Sequence, residues 1–163
     1  MAASKGSRIA SLILRILTFV LIFISLLIIA TNSKTVLKGT EAEAKVEFKD
    51  VYSYRYLTAA AVIGAALSLL QIALTLYHVV TKSDGTPFFD MFSDKLLTYL
   101  LLSGASAGLG AGIDLRSNYK DLVGNIFNSF FDKGSASAAI LLLAFICSAV
   151  VSILSSLALV RKP

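Results

Sequence analysis

Two side chains have the type and setting to do chemistry inside a membrane. Arg15 sits in "SLILRILTFVLIF", residues 11–23, where every other position is apolar or small and uncharged. Its guanidinium keeps its proton at every relevant pH. Asp94 sits in "MFSDKLLTYLLL", at the head of another apolar run. Charges at such positions line an ion or proton pathway, balance a ligand, or pair with each other. The remaining candidates are weaker. His78, the one histidine, falls near the end of an apolar run and reads as interfacial. Cys147, the one cysteine, is mid-run and reads as inert packing. It leaves no disulfide within the chain and no cysteine-built metal site. "GLGAGI" lacks the G-x-G-x-x-G spacing of a phosphate loop. With no acid–base or nucleophile constellation, the expectation is a chain that is no enzyme and needs no metal or cofactor.

The elements that must position Arg15 and Asp94 follow from composition. Of 163 residues, 56% are hydrophobic and only 15% charged, and mean hydropathy is +0.80. Soluble domains carry about a quarter charged residues, so the surplus of apolar side chains belongs in lipid. Net charge is +5. The basic residues flank apolar runs without alternating with aromatics, which favours a membrane surface over nucleic acid. Four runs stand out, 9–31, 57–80, 96–113 and 134–160, and Arg15 is the single charge within them. Phe88, Phe89, Met91 and Phe92 lead into the third, so the spans are set at about 9–31, 57–80, 92–113 and 135–160. A helix crosses the hydrocarbon in roughly 20 residues, and lipid admits helices rather than open strands. The expected fold is an all-α membrane protein, one four-transmembrane-helix bundle over 1–163 with short tails and two outer loops. The first run exceeds the roughly 7–15 residues of a signal-peptide core and no A-x-A site follows it, so it reads as an uncleaved span.

Four spans leave both termini on one side. With Arg15 counted on the side it lies nearest, the tails and middle loop carry seven Lys/Arg and the outer loops eight, which decides nothing. Lys5 and Arg8 beside the first span favour cytosolic termini. In the first outer loop, 32–55, Val36, Val46 and Phe48 alternate with charged residues around "GTEAE". That pattern fits a short β-hairpin or a solvated charged loop. In the second, 114–133, "IFNSFF" follows a polar stretch and reads as a short helix lying on the membrane.

Spans one and three run in the same direction, with Arg15 and Asp94 at similar depth, roughly 6–9 Å in at 1.5 Å per residue. Matched depth permits a direct ion pair. The alternative is that Arg15 snorkels to the interface and Asp94 merely favours a helix N-terminus. Small residues form stripes at helical spacing: Gly104, Gly108 and Gly112 in the third span, Ala60, Gly64 and Ser68 in the second, Ala144, Ser148, Ser152 and Ser156 in the fourth. Such faces bring backbones close. Gly64, Gly104, Gly108, Gly112, Ser148 and Ser152 are therefore candidates for packing within a bundle or between copies.

Taken together, "ILRIL" in the first span, "YHVV" closing the second, "SDKLLTYLLLSGASAG" opening the third and "FNSFFDKGSASAAI" leading into the fourth resemble the Casparian strip membrane domain protein-like family of plants. That family is similar to the MARVEL domain. The resemblance covers nearly the whole chain and implies that Arg15 and Asp94 are the family's two intramembrane charges. It implies a plasma-membrane protein with cytosolic termini that forms homo- and hetero-oligomers with related four-span proteins. Founding members make a membrane scaffold that recruits cell-wall-modifying enzymes, which would be the extracellular partners. The cysteine pair that many relatives carry in the second outer loop has no counterpart here. The expected function is a non-enzymatic scaffold. The alternative is a small four-span transporter or channel using the intramembrane charges. Both charges lie near one end, and neither proline (Pro87, Pro163) interrupts a span, which favours the scaffold.

Overall fold

The computed structural model describes residues 5–36, 44–81, 87–123 and 128–160. Four long helices dominate: α1 (Lys5–Ala30), α2 (Tyr52–Thr81), α3 (Pro87–Val123) and α4 (Asn128–Val160). Each is long and apolar enough to cross a membrane. Large apolar side chains cover the outside, with Ile13, Phe23, Leu69 and Ile153 all more than half exposed. Such a belt is a liability in water and the natural surface against lipid.

The inner faces are built differently. The buried row of α1 and the residues after it is Arg15, Thr18, Ile22, Ser25, Ile29 and Asn32, spaced by three and four in alternation. The row on α2 is Tyr54, Leu57, Ala61, Gly64, Ser68 and Gln71, with the same alternation. On α4 it is Gly134, Ser137, Leu141, Ala144, Ser148 and Val151. An average of 3.5 residues per repeat keeps one seam facing the partner helices, as in coiled coils and four-helix bundles. The helices form a ring in which α1 and α3 each pack on both α2 and α4, so α1 and α3 are diagonal to each other. The N-terminal halves of α1 and α3 meet at one end of the bundle, with the C-terminal halves of α2 and α4 beside them.

The small residues set how close the helices come. A Cβ on Gly108 would overlap Leu57 Cδ1 and lie 2.9 Å from Ala138 Cβ; one on Gly104 would lie 2.7 Å from Ala60 Cβ. Gly112 faces Ser135 of α4, and Gly64 receives Leu97, Leu101 and Ile22. Ser148 and Ser152 are buried on α4. All six face the interior of this one bundle, so their smallness is used in packing α2, α3 and α4 together.

Two outer segments differ in outcome. The first forms the hairpin alternative: β1 (Ser33–Val36) pairs antiparallel with β2 (Ala44–Glu47), Ser33 opposite Glu47 and Val36 opposite Ala44. Its turn, "GTEAE", lies outside the described residues. A 3₁₀ turn, Phe48–Asp50, follows, with Asp50 accepting from the Glu47 N–H at 2.8 Å. Lys49 pairs with Glu47 at 2.8 Å, and that hydrogen bond and charge hold its ammonium above the usual lysine range.

The second segment corrects the expected loop and surface helix at 114–133. Helix α3 continues to Val123, and Asn128 already belongs to α4. The last two residues of "IFNSFF" drive this. Phe130 and Phe131 are buried in the first turn of α4, and the Phe130 ring lies 5.9 Å from the buried Tyr54 ring. Burial in the core outcompetes lying on the interface. Arg116 and Asp132 face each other at 3.4 Å across the two extensions, both exposed, a contact of little energetic weight.

Gly108→Leu should therefore disrupt the α2–α3–α4 packing, and even Gly108→Ala should cost about 1–3 kcal/mol through overpacking. Gly110, which has open space around it, should accept alanine with unchanged or raised stability. Thermal unfolding of purified protein in detergent distinguishes the two glycines.

Candidate functional site

The site is built from the end of the bundle where α1 and α3 begin. In lipid, Arg15 has no water within reach unless its side chain climbs to the interface. It does not climb. Arg15 Nη2 donates to Asp94 Oδ2 at 2.8 Å, with the two residues 5% and 1% exposed. Each residue lies six positions in from the start of its candidate span, Ile9 in α1 and Phe88 in α3. Parallel helices with matched offsets put the two charges at one depth, about 9 Å along the axis. Because α1 and α3 are diagonal, the pair crosses the bundle centre. The long arginine stem makes that reach feasible. Pro87 starts α3 at the position where a missing N–H costs nothing.

Helix α4 completes the site. Ser155 donates its hydroxyl to the same Asp94 Oδ2. Thr98 Oγ1 donates to the Asp94 carbonyl at 2.7 Å, so the Ser148 hydroxyl, 2.8 Å away, must be the donor to Thr98. Helix α2 contributes Gln71, whose Nε2 donates to Ser93 Oγ at 2.9 Å. Lys95, the neighbouring cation, is exposed and points away. All four helices thus converge at one level through Arg15, Gln71, Ser93–Asp94–Thr98 and Ser148–Ser155.

A second set of polar pins ties α1 to α4 toward the other end. Ser25 and Ser137 each donate to the other's carbonyl, at 2.8 and 2.9 Å. Asn32 Nδ2 donates to the Phe130 carbonyl at 3.0 Å. Elsewhere, threonine and serine hydroxyls turn back to the carbonyl four residues earlier, as at Thr18, Thr58, Thr75 and Ser106. Such back-bonding lets a hydroxyl sit in an apolar setting without a partner from another helix.

Of the residues singled out from sequence, Arg15 and Asp94 touch, and Ser148 joins their network through Thr98. Gly104, Gly108 and Gly112 lie further along α3 and have no part in it. Ser155, Gln71, Ser93, Ser25, Ser137 and Asn32 were not anticipated. A usable signal did exist: Ser25 and Asn32 continue the three-and-four spacing from Arg15 and Thr18. Among the described residues there is no cluster of histidine, cysteine and carboxylate side chains that could hold a metal.

The fold and site define a class: a four-span helical membrane protein pinned by a buried arginine–aspartate pair. The Casparian strip membrane protein domain model matches residues 4–147. Similar chains include CASP-like protein 4D1 of Ricinus communis, 46% identical over 98% of this chain and 96% of the relative. CASP-like protein 4D1 of Populus trichocarpa is 44% identical over 96% and 89%, and CASP-like protein 4D2 of Arabidopsis thaliana is 40% identical over 95% and 92%. The chain belongs to the CASP-like family of plant membrane proteins. No solved structure matches it.

Removing one member of a buried ion pair strands the other, which typically costs about 3–5 kcal/mol. Asp94→Asn and Arg15→Gln should each lower the thermal stability of the purified protein and its yield in membranes. Exchanging the two residues should recover part of the loss, and only part, because Ser155 is placed to donate to a carboxylate on α3. Unfolding temperatures of the four proteins in one detergent check this.

Proposed function

We propose that this chain is a non-enzymatic scaffold of the plasma membrane, with both termini cytosolic, that associates laterally with itself and related four-span proteins. The observation that carries the reading is the placement of the charge pair. It lies near one end of the spans, bonds three helices, and is followed along the axis by apolar side chains. Leu97, Leu101 and Ile22 converge on Gly64 immediately beyond it. A transport pathway would need polar groups at the midplane, and there the axis is filled by Ile22, Leu57, Leu101 and Leu141. A charge pair so enclosed suits a bundle whose work is to keep its shape and present its surfaces. In this reading its outer segments engage cell-wall-modifying partners.

Lateral contacts in this reading use the outward face of α3 and not the glycine stripe, which the bundle itself consumes. Ser103 and Ser106 face outward on α3, with Gly110 one turn on. Tyr56 of α2 lies 2.7 Å from Ser103 across their hydroxyls. Hydroxyls and an unfilled glycine on a lipid-facing surface favour helix contacts between molecules.

Crosslinking with mass spectrometry in native membranes should recover self-contacts on this face, together with related four-span proteins. Gly110→Leu should reduce oligomer size in detergent and leave thermal stability unchanged, the reverse of the pattern expected for Gly108→Leu. Ion or solute flux through reconstituted protein, abolished by Asp94→Asn, would overturn the scaffold in favour of a transporter.

A further inference from the structure

The charge pair is under-satisfied. Arg15 Nε, Arg15 Nη1, Asp94 Oδ1 and Ser68 Oγ are all buried without a hydrogen-bond partner. Their residues line one crevice between the four helices, with Gln71 and Leu97 on its walls. As packed, the crevice has no room for a whole water molecule. Buried polar atoms are nearly always satisfied by protein or by water, and unmet charged ones carry the largest penalty. The packed arrangement is therefore raised in free energy relative to one that admits water, and reaching that one requires a wall to move.

Helix α2 is the wall least tied down. Helices α1, α3 and α4 are joined at this level through Arg15, Asp94 and Ser155. Among the described residues, the Gln71–Ser93 bond is the only hydrogen bond joining α2 to another helix at this end. Gln71 is also the last buried residue of α2. From 72 to 81 every side chain is half-buried or exposed, with Leu76, Tyr77 and Val80 more than half exposed. The inward positions of that arm, Leu74, Thr75 and His78, are only half-buried, so little protein packing opposes its movement.

We infer that the C-terminal arm of α2 is a hinged wall latched by Gln71 to Ser93, and that its opening lets water reach Arg15, Ser68 and Asp94 from one end of the bundle. The closure of the axis by Leu97, Leu101 and Ile22 on Gly64 makes the hydrated space a dead end. The open state gives the guanidinium and the free carboxylate oxygen the partners that the closed state denies them. The latch sets how often it forms.

Cysteine accessibility tests this in a Cys147→Ser background, in nanodiscs, with the anionic reagent 2-sulfonatoethyl methanethiosulfonate. Ser68→Cys should react slowly. Adding Gln71→Leu should accelerate it by about fivefold or more, the shift in an opening equilibrium expected for losing one hydrogen bond of ordinary strength. Ser93→Ala should reproduce the acceleration from the other side of the latch. Leu57→Cys, in the core beyond the closure, should stay inert throughout. Three outcomes overturn the inference: Ser68→Cys inert in every background, a rate indifferent to both latch variants, or Leu57→Cys accelerating in step, which would mean general loosening of the bundle.

Discussion

A guanidinium that cannot lose its proton has to be matched wherever the chain carries it. That requirement organises this bundle. Arg15 enters the hydrocarbon on α1, and the nearest carboxylate that can meet it at equal depth is on the diagonal helix. Bonding across the diagonal fixes the relative height of α1 and α3 and the rotation of each about its axis. It also places Asp94 where Ser155 of α4 can reach it. One ion pair thereby constrains three helices, and α2 is positioned by packing on either side of them. The energetic case is asymmetric. A buried pair adds little over a well-packed apolar alternative, but half a pair is strongly unfavourable. Its worth lies in excluding the registers that would separate the charges.

Around that pin the bundle follows the logic of membrane helices, where apolarity does not distinguish inside from outside. The outer faces are large and apolar because lipid is the solvent. The inner faces set small and polar residues among large apolar ones such as Ile22, Leu101 and Leu141, because close approach and hydrogen bonding hold helices together there. Gly104 and Gly108 let α3 lie against Ala60, Leu57 and Ala138. Ser25 with Ser137, and Asn32 with the Phe130 carbonyl, carry the α1–α4 seam along the rest of its length. The aromatic cluster of Tyr54, Phe130 and Phe131 closes the end opposite the charges.

The parts of this arrangement legible in the sequence are those that depend on one residue type at a time. Long apolar runs announce four helices, because only a helix satisfies its own backbone in lipid. Two isolated charges at matching depth announce a contact. What stays hidden depends on rotation about helix axes. In "LLSGASAGLGAGI", spacing puts Gly108 and Gly110 on different faces without saying which face the bundle uses; Gly108 is pressed against Leu57 and Gly110 faces open space. The end of α3 and the start of α4 are hidden for a related reason. Polar residues after Ile113 suggest a loop, but a helix can leave the membrane and continue, and Phe130 and Phe131 find more burial against Tyr54 than on a membrane surface. Ser155 has no mark in the sequence: a serine in an apolar run usually bonds its own backbone, and nothing local distinguishes the one that does not.

The two ends of the bundle consequently differ in kind. Toward the outer segments, ring contacts and a reciprocal serine pair hold α1, α2 and α4 together, and the buried polar atoms without a partner there, Asn32 Oδ1 and the Tyr54 hydroxyl, carry no charge. At the charged end, the strongest single interaction coexists with unpaired atoms on the same two side chains, Arg15 and Asp94. Both features follow from one cause. A guanidinium has five N–H groups and a carboxylate two oxygens, so a single contact across a diagonal uses a fraction of either. Packing tight enough to exclude water then leaves the remainder dry. The residue that specifies the register of the bundle is therefore also the one that keeps its own end from settling fully, and the helix with the weakest polar attachment there, α2, is where that tension finds relief.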